Sequence, residues 1–162
     1  MKGDIVSVRA DCIVNAANHT LLGGGGVDGA IHQAAGPKLL EECKMLHGCQ
    51  TGEAKITKGY DLKAKYIIHT VGPVYGKEKG REKELLATCY LQCLTLAKKM
   101  RLKKIVFPAI SIGAYGYPKE EAAEIVYQTL TDYLKQNNFF AEIMLVLYSP
   151  DSYRLYKKTF GR

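Results

Sequence analysis

The stretch CIVNAANHTLLGGGGVDG, residues 12–29, decides the fold of this chain. Its first residues are an apolar run typical of a buried strand, and an apolar helical pattern follows at residues 30–35. Four consecutive glycines lie between them, although each glycine loses much backbone entropy on folding. A bare backbone at a helix start offers unpaired N–H groups and a positive dipole end, which bind anions. The sequence therefore predicts a phosphate-bearing ligand at this junction.

One acidic residue, Asp28, lies where this helix begins. A carboxylate inside an anion site costs electrostatic energy unless it takes part in chemistry or binds a hydroxyl group. We therefore expect a reaction beside the phosphate site, and the candidates for the chemistry are Asp28, Asn18 and a bound water.

A second strand, glycine loop and helix follow later in the chain. The loop PAISIGAYGYP, residues 108–118, leaves an apolar strand and enters a helix that Pro118 opens. For this loop alone, a structural turn with Tyr115 and Tyr117 packed on the core remains an alternative. Because ligands bind beyond the carboxyl ends of strands in α/β sheets, the two loops together predict two phosphates, or a pyrophosphate held from both sides.

Apolar periodicity predicts the other elements. The alternation of helices with short apolar strands indicates an α/β fold with helices on both faces of the sheet. With 162 residues, we expect a single domain over positions 1–162. The predicted strands are at 5–8, 12–16, 54–58, 66–71, 104–108 and 143–148, and the helices at 27–35, 37–47, 82–100, 118–135 and from 150.

Composition narrows the class of protein. The formal net charge of +7 is compatible with a nucleotide or nucleic-acid partner, but the lysines are scattered, which favours an ordinary solvated surface. No apolar run approaches the length of a membrane span, and the first residues lack a signal-peptide pattern. We therefore expect a cytoplasmic protein with no membrane partner.

The cysteines and histidines give little support for a metal site. Cys43, His47 and Cys49 lie close together in the chain but lack a second ligand pair of the zinc-site type. We interpret His32, on the first helix, and His69, in a buried strand, as hydrogen-bonded structural residues. We expect catalysis without a metal or a cofactor.

Other glycine-loop families fit less well. Gly24, Gly26 and Gly29 have the spacing of a dinucleotide fingerprint, but residues 19–22 separate them from the strand. The nearest acidic residues come too early to bind a ribose in that fold. No Walker lysine follows the glycines, which argues against an NTPase loop.

Several motifs together resemble the macro domain family, in particular its MacroD-type class, which includes bacterial O-acetyl-ADP-ribose deacetylases. The likeness spans residues 3 to about 160, and the block at 15–32 is the most specific part. Family members often have Ser-Thr-Gly where this chain has Ser111, Ile112 and Gly113, so the resemblance implies that a hydroxyl contact to phosphate is lost here while the backbone donors remain. The matching stretches are GDI at 3–5, IVNAAN at 13–18, LLGGGGVDGAIH at 21–32, GCQTGEA at 48–54, IHTVGP at 68–73 and GAYGYP at 113–118.

The resemblance implies a three-layer α/β/α sandwich with a mixed, mostly parallel central sheet. It also implies that ADP-ribose is the ligand core. Asp4 would accept the adenine amino group, and Tyr148 would stack on the base. The two loops would wrap the pyrophosphate, and Asn18 would hold the distal ribose with Asp28 near its anomeric carbon. The full implied ligand set is Gly3, Asp4, Ile5, Ala16, Ala17, Asn18, Gly23, Gly24, Gly25, Gly26, Val27, Asp28, Ser111, Ile112, Gly113, Ala114, Tyr115, Gly116, Tyr117 and Tyr148.

The activity implied by the resemblance is hydrolysis of esters on the distal ribose. Substrates would be O-acetyl-ADP-ribose and mono-ADP-ribosylated proteins modified on Asp or Glu, with Asn18 and Asp28 as the catalytic residues. A non-catalytic module that binds ADP-ribose marks is the alternative, because the fold alone does not decide between them. Binding of single-stranded RNA or poly(ADP-ribose) also remains open, although no stripe of aromatic and basic residues supports it.

Overall fold

The computed structural model describes residues 1–161, so the last residue of the predicted domain, Arg162, lies outside the described residues. Five strands form one mixed sheet in the order β2-β3-β1-β4-β5. Only β2 runs antiparallel to its neighbour, and the other pairs are parallel. The strands are β1 Cys12–Ala16, β2 Ala54–Lys58, β3 Tyr66–Thr70, β4 Lys104–Phe107 and β5 Glu142–Leu145.

Helices cover both faces of this sheet, which confirms the predicted three layers. Alternate residues of the parallel strands point to opposite faces, so each face has its own apolar core. Ile13 and Val106 pack with the first two helices, whereas Val14 and Phe107 pack with the next two. The helices are α1 Gly26–Ala35, α2 Pro37–Lys44, α3 Glu82–Lys99, α4 Lys119–Gln136 and α5 Pro150–Phe160, and α5 packs on α4.

Two predicted strands differ from the structure by more than one residue at an end. The strand predicted at residues 5–8 is wrong, because Ile5–Ser7 is a short 3-10 helix that Asp4 caps by accepting the N–H of Val6. Ile5 and Val8 are three residues apart and both are buried, which suits one face of a 3-10 turn as well as a strand. The strand predicted at 143–148 ends at Leu145.

The parallel strands place their carboxyl ends at one edge of the sheet. The loops that follow β1, β3, β4 and β5 therefore lie side by side, and they include both predicted glycine loops. None of the described helices is long and apolar enough to cross a membrane.

Candidate functional site

A pocket of about 830 Å³ opens at this edge of the sheet. Its walls come from the loop after β1 together with the start of α1, the loop after β4, and the segment between β5 and α5. The 3-10 helix with Asp4 and Ile5 closes one end, and Gly72 from the loop after β3 contributes to the floor. A cavity of this size is large enough for a nucleotide-sized ligand.

The first glycine loop is held in shape by Asn18. Its amide nitrogen donates to the carbonyl of Gly23 at 3.1 Å. Its amide oxygen accepts from the backbone N–H of Thr20 at 3.0 Å and from the Thr20 hydroxyl at 2.6 Å. Asn18 therefore shapes the loop and also lines the pocket.

At two positions of this segment the backbone conformation or the close packing requires glycine. Gly26 has a φ of +55°, which favours glycine, and a Cβ on Gly29 would lie 2.4 Å from the carbonyl oxygen of Gly24. Gly25, the N-cap of α1, has a φ of −91° and supplies no side-chain cap. The first N–H groups of α1 therefore remain available to a ligand in the pocket.

Asp28 lies in the first turn of α1 and is only 4% exposed. Its Oδ1 accepts a 2.8 Å hydrogen bond from the side-chain amide of Asn15 in β1. His32, one turn along the helix, places Nε2 at 3.5 Å from the same oxygen. The hydrogen-bond geometry of this contact is poor, and Nε2 is buried without another partner among residues 1–161. The interpretation of His32 as a hydrogen-bonded structural residue is therefore wrong for Nε2, which, among the described residues, has only this long contact with the carboxylate.

The second loop has a strained serine at its centre. Ser111 has a φ of +67°, and its carbonyl accepts the N–H of Tyr117 at 2.9 Å. Its hydroxyl is buried and has no partner in the described part of the chain. A Cβ on Gly72 would lie 2.1 Å from that hydroxyl, so only glycine fits beneath the loop.

Tyr115 connects the second loop to the Asp28 end of the pocket. Burial raises the pKa of Tyr115, and the negative charge of Asp28 raises it further. The carbonyl of Tyr115 accepts the N–H of Tyr75 at 2.9 Å, which fixes the outer edge of the loop. Tyr115 and Asp28 therefore line the same pocket and interact electrostatically.

The opposite end of the pocket is open. Asp4 is exposed, and its Oδ1 accepts the Val6 N–H at 3.2 Å. Tyr148 follows β5 and is 82% exposed, so its ring is free to cover a flat ligand group. This end combines an exposed acceptor with an exposed aromatic ring.

Most residues of the implied ligand set line this one pocket. Gly23 and Gly116 are not in its walls, although each belongs to a loop that is. Tyr117 lies outside as well, since it is 3% exposed and its ring packs edge-on against Tyr75 at 5.0 Å. The structural alternative for this loop therefore holds for Tyr117. The implied residues that line the pocket are Gly3, Asp4, Ile5, Ala16, Ala17, Asn18, Gly24, Gly25, Gly26, Val27, Asp28, Ser111, Ile112, Gly113, Ala114, Tyr115 and Tyr148.

Sequence reasoning missed several residues of the site. Lys119 is the only cationic side chain lining the described pocket, and Ser152 is a buried residue of α5 that also lines it. Asn15 is fully buried and reaches Asp28 from beneath. The available signal was a polar residue, Asn15, inside an otherwise apolar strand.

A metal has no evident place in the described structure. No group of three His, Cys, Asp or Glu side chains among residues 1–161 could hold a metal ion. Burial raises the pKa of the Cys43 and Cys49 thiols to about 11 each, which keeps both protonated near neutral pH. All five cysteines are free and buried.

Comparisons with known proteins agree on one family. The sequence model of the Macro domain matches residues 14–126. A macro domain-containing protein from Methanosarcina mazei is 60% identical over 162 residues, covering 99% of this chain and 86% of that protein. Human ADP-ribose glycohydrolase MACROD2 is 51% identical over 159 residues, covering 97% of this chain and 37% of that longer protein.

A solved structure extends this likeness to the fold. The macrodomain of Trypanosoma brucei in complex with ADP-ribose superposes with a TM-score of 0.91 at 44% sequence identity. The match covers 97% of this chain and 66% of that one. The likeness therefore includes the edge of the sheet where the pocket opens.

Proposed function

The chain belongs to the macro domain family, and from this we propose that it binds ADP-ribose in the pocket and hydrolyses esters on the distal ribose. The substrates are O-acetyl-ADP-ribose and proteins that carry a single ADP-ribose on an Asp or Glu side chain. The human relative, named as an ADP-ribose glycohydrolase, supports hydrolysis on the same ligand. The protein thus acts as a hydrolase rather than as a passive binding module.

The observation that carries this proposal is the placement of Asp28. It is a buried carboxylate in the first turn of α1, and the first residues of this helix line the pocket. A negative charge there weakens the binding of a pyrophosphate, because the charge repels the ligand, unless the carboxylate takes part in the reaction or binds a ribose hydroxyl. The carboxylate is consistent with a role in the reaction.

The ligand lies along the pocket with its pyrophosphate between the two loops. Its adenine is placed at the open end, where Asp4 accepts the amino group and Tyr148 stacks on the base. Its distal ribose is placed at the other end, near Asn18, Tyr115 and Asp28. This direction puts the charged centre of ADP-ribose beside the start of α1 and the ester beside the carboxylate.

Asp28 has one oxygen available for the chemistry. Oδ1 is engaged by Asn15, whereas Oδ2 faces Gly24, where a Cβ would lie 3.2 Å away. We infer that a water molecule binds to Oδ2, the oxygen that Asn15 leaves free. Asp28 orients this water and accepts its proton while Asn18 holds the ribose hydroxyls, so that attack on the ester starts from a prepared geometry. The products are ADP-ribose and a free carboxylic acid.

The test is a direct assay with two substrates. The protein is incubated with O-acetyl-ADP-ribose and with a glutamate-linked mono-ADP-ribosyl protein, and free ADP-ribose is measured by mass spectrometry. Release well above the spontaneous rate from either substrate supports the hydrolase. Tight binding of ADP-ribose without release from either one leaves the alternative, a non-catalytic binding module.

A further inference from the structure

A continuous line of hydrogen bonds leads from Asp28 into the core of the sheet. The Asn15 side-chain nitrogen, which donates to Asp28, lies 3.1 Å from Nδ1 of His69. Nε2 of His69 lies 2.9 Å from the Thr57 hydroxyl, which donates to the carbonyl of Lys58 at 3.2 Å. The line therefore crosses β1, β3 and β2 beneath the pocket.

The pairing of the strands brings these side chains together. Asn15 and His69 are direct partners in the parallel ladder between β1 and β3, so they stand side by side on one face. Thr57 pairs with Ile67, two residues from His69, and therefore points to that same face. Cys43 of α2 covers the ring from above, with Sγ at 4.0 Å from Nε2.

The contacts fix the state of the imidazole ring. The Asn15 amide nitrogen is a donor only, so Nδ1 of His69 must accept and carries no hydrogen. Nε2 then carries the hydrogen and donates it to Thr57. Burial, with a smaller contribution from His32, lowers the pKa of His69 to about 3, which keeps the ring neutral.

We propose that His69 is a positioning residue for the hydrolysis, because its Nδ1 holds the Asn15 amide in the orientation that presents N–H to Asp28. The proposal rests on the function proposed above. If the amide turned over, the Asn15 oxygen would face the carboxylate oxygen at hydrogen-bond distance, and the two acceptors would repel. The Asp28 carboxylate would then rotate, and its Oδ2 would no longer point toward the ester.

The orientation of Asn15 has a cost that packing alone does not explain. Both amide hydrogens are used, by His69 and by Asp28, while the amide oxygen is buried without a partner among residues 1–161. An apolar pair at these two ladder positions would avoid that unsatisfied acceptor. The presence of a polar pair here is consistent with Asp28 requiring a hydrogen-bond donor on this side.

Two substitutions of His69 separate positioning from packing. In His69→Asn, the amide oxygen takes the place of Nδ1 and still accepts from Asn15. In His69→Gln, the amide takes the place of Nε2 and still reaches Thr57, but the acceptor for Asn15 is lost. Both variants are smaller than histidine and both remain polar, so each is the matched control for the other.

The kinetic readout is kcat on the glutamate-linked substrate, measured beside the Kd for ADP-ribose and the stability of each variant. We expect His69→Asn to retain kcat within about threefold and His69→Gln to lose about tenfold or more, with Kd unchanged in both. Equal kcat in the two variants, or losses that follow their stabilities, would overturn the proposal.

A spectroscopic readout covers the case in which the variants do not fold. The ¹⁵N spectrum of the wild-type imidazole should show an unprotonated Nδ1 and a protonated Nε2 from pH 5 to 8. The opposite tautomer, or a ring that titrates in this range, would overturn the proposal. Wild-type protein that shows this tautomer but does not turn over either ester would refute the proposed function instead.

Discussion

Asp28, at one end of the pocket, is 4% exposed and is hydrogen-bonded to the core of the sheet, whereas Tyr148, at the other end, is 82% exposed. The buried end is built from adjacent strands whose side chains hold one another in place. The open end is built from a loop after β5 and a 3-10 turn near the start of the chain.

This difference separates chemistry from affinity. A buried, hydrogen-bonded carboxylate has its geometry prepared before the ligand arrives, which is what a reaction requires. An exposed ring and an exposed carboxylate order themselves on binding and so contribute to affinity only. We therefore expect substitutions at the buried end to change turnover or stability, and those at the open end to change Kd.

The largest effect is expected from Asp28→Ala. Hydrolysis of the glutamate-linked substrate should fall about a hundredfold or more, which is the usual contribution of a positioned acid–base group. Affinity for ADP-ribose, measured by calorimetry, should stay within about tenfold. The carboxylate repels the nearby pyrophosphate, so its removal does not weaken the binding of the phosphates. Asp132→Ala, on the exposed side of α4, is the control and should change neither quantity.

Two outcomes of this experiment would contradict the assignment of catalysis to the buried end and affinity to the open end. Equal slow rates in wild type and Asp28→Ala, with ADP-ribose bound by both, would make the protein a binding module. Loss of binding in Asp28→Ala would make the carboxylate a ligand-holding group, and the catalytic assignment would move elsewhere.

The next effect is expected at the open end, from Asp4→Ala. The variant should bind ADP-ribose about 1–3 kcal/mol more weakly, the scale of a hydrogen bond to a charged group, while kcat at saturation stays the same. Asp4→Asn keeps an acceptor for the Val6 N–H, so it separates the loss of charge from the loss of the cap. An unchanged Kd in the alanine variant would mean that Asp4 does not contact the adenine.

A third effect, on stability rather than on the ligand, is expected for the buried end at low pH. The pKa of His69 in the folded protein is lowered to about 3, below the ordinary value of 6.5. Between these two values the unfolded chain binds a proton that the folded protein does not, so the free energy of unfolding falls as the pH falls. The slope from this residue is up to about 1.4 kcal/mol per pH unit.

Urea unfolding between pH 3.5 and 8 measures this slope. His69→Asn removes the titrating ring, and its stability should depend less on pH in the same range. Identical pH profiles for the two proteins would show that the ring is accessible to protons in the folded state.

The smallest effect is expected from Tyr148→Ala. One face of an exposed ring stacked on a base should contribute about 1 kcal/mol, the lower end of the usual range. Tyr148→Phe is the control, because it keeps the ring and should bind ADP-ribose as the wild type does. A tenfold loss in the phenylalanine variant would show that the hydroxyl, rather than the ring, contacts the ligand.

Local sequence patterns predicted most of the elements and the position of the pocket. Periodicity found the strands at 12–16 and 54–58 with their bounds as observed. It failed at residues 5–8, where local capping by Asp4 favoured a 3-10 turn over extension. Both glycine loops were identified because strand, glycines and helix follow one another in the chain, and such local order is visible without the fold.

The residues beneath Asp28 could not be predicted from local patterns. Asn15 and His69 are 54 residues apart in the chain and meet because β1 and β3 pair in parallel at one register. A shift of one residue would send His69 to the opposite face of the sheet. Tyr117 likewise belongs to a pocket loop by sequence but to the core by packing. Long-range register and burial carry no local signature, because they arise only when the whole sheet has formed.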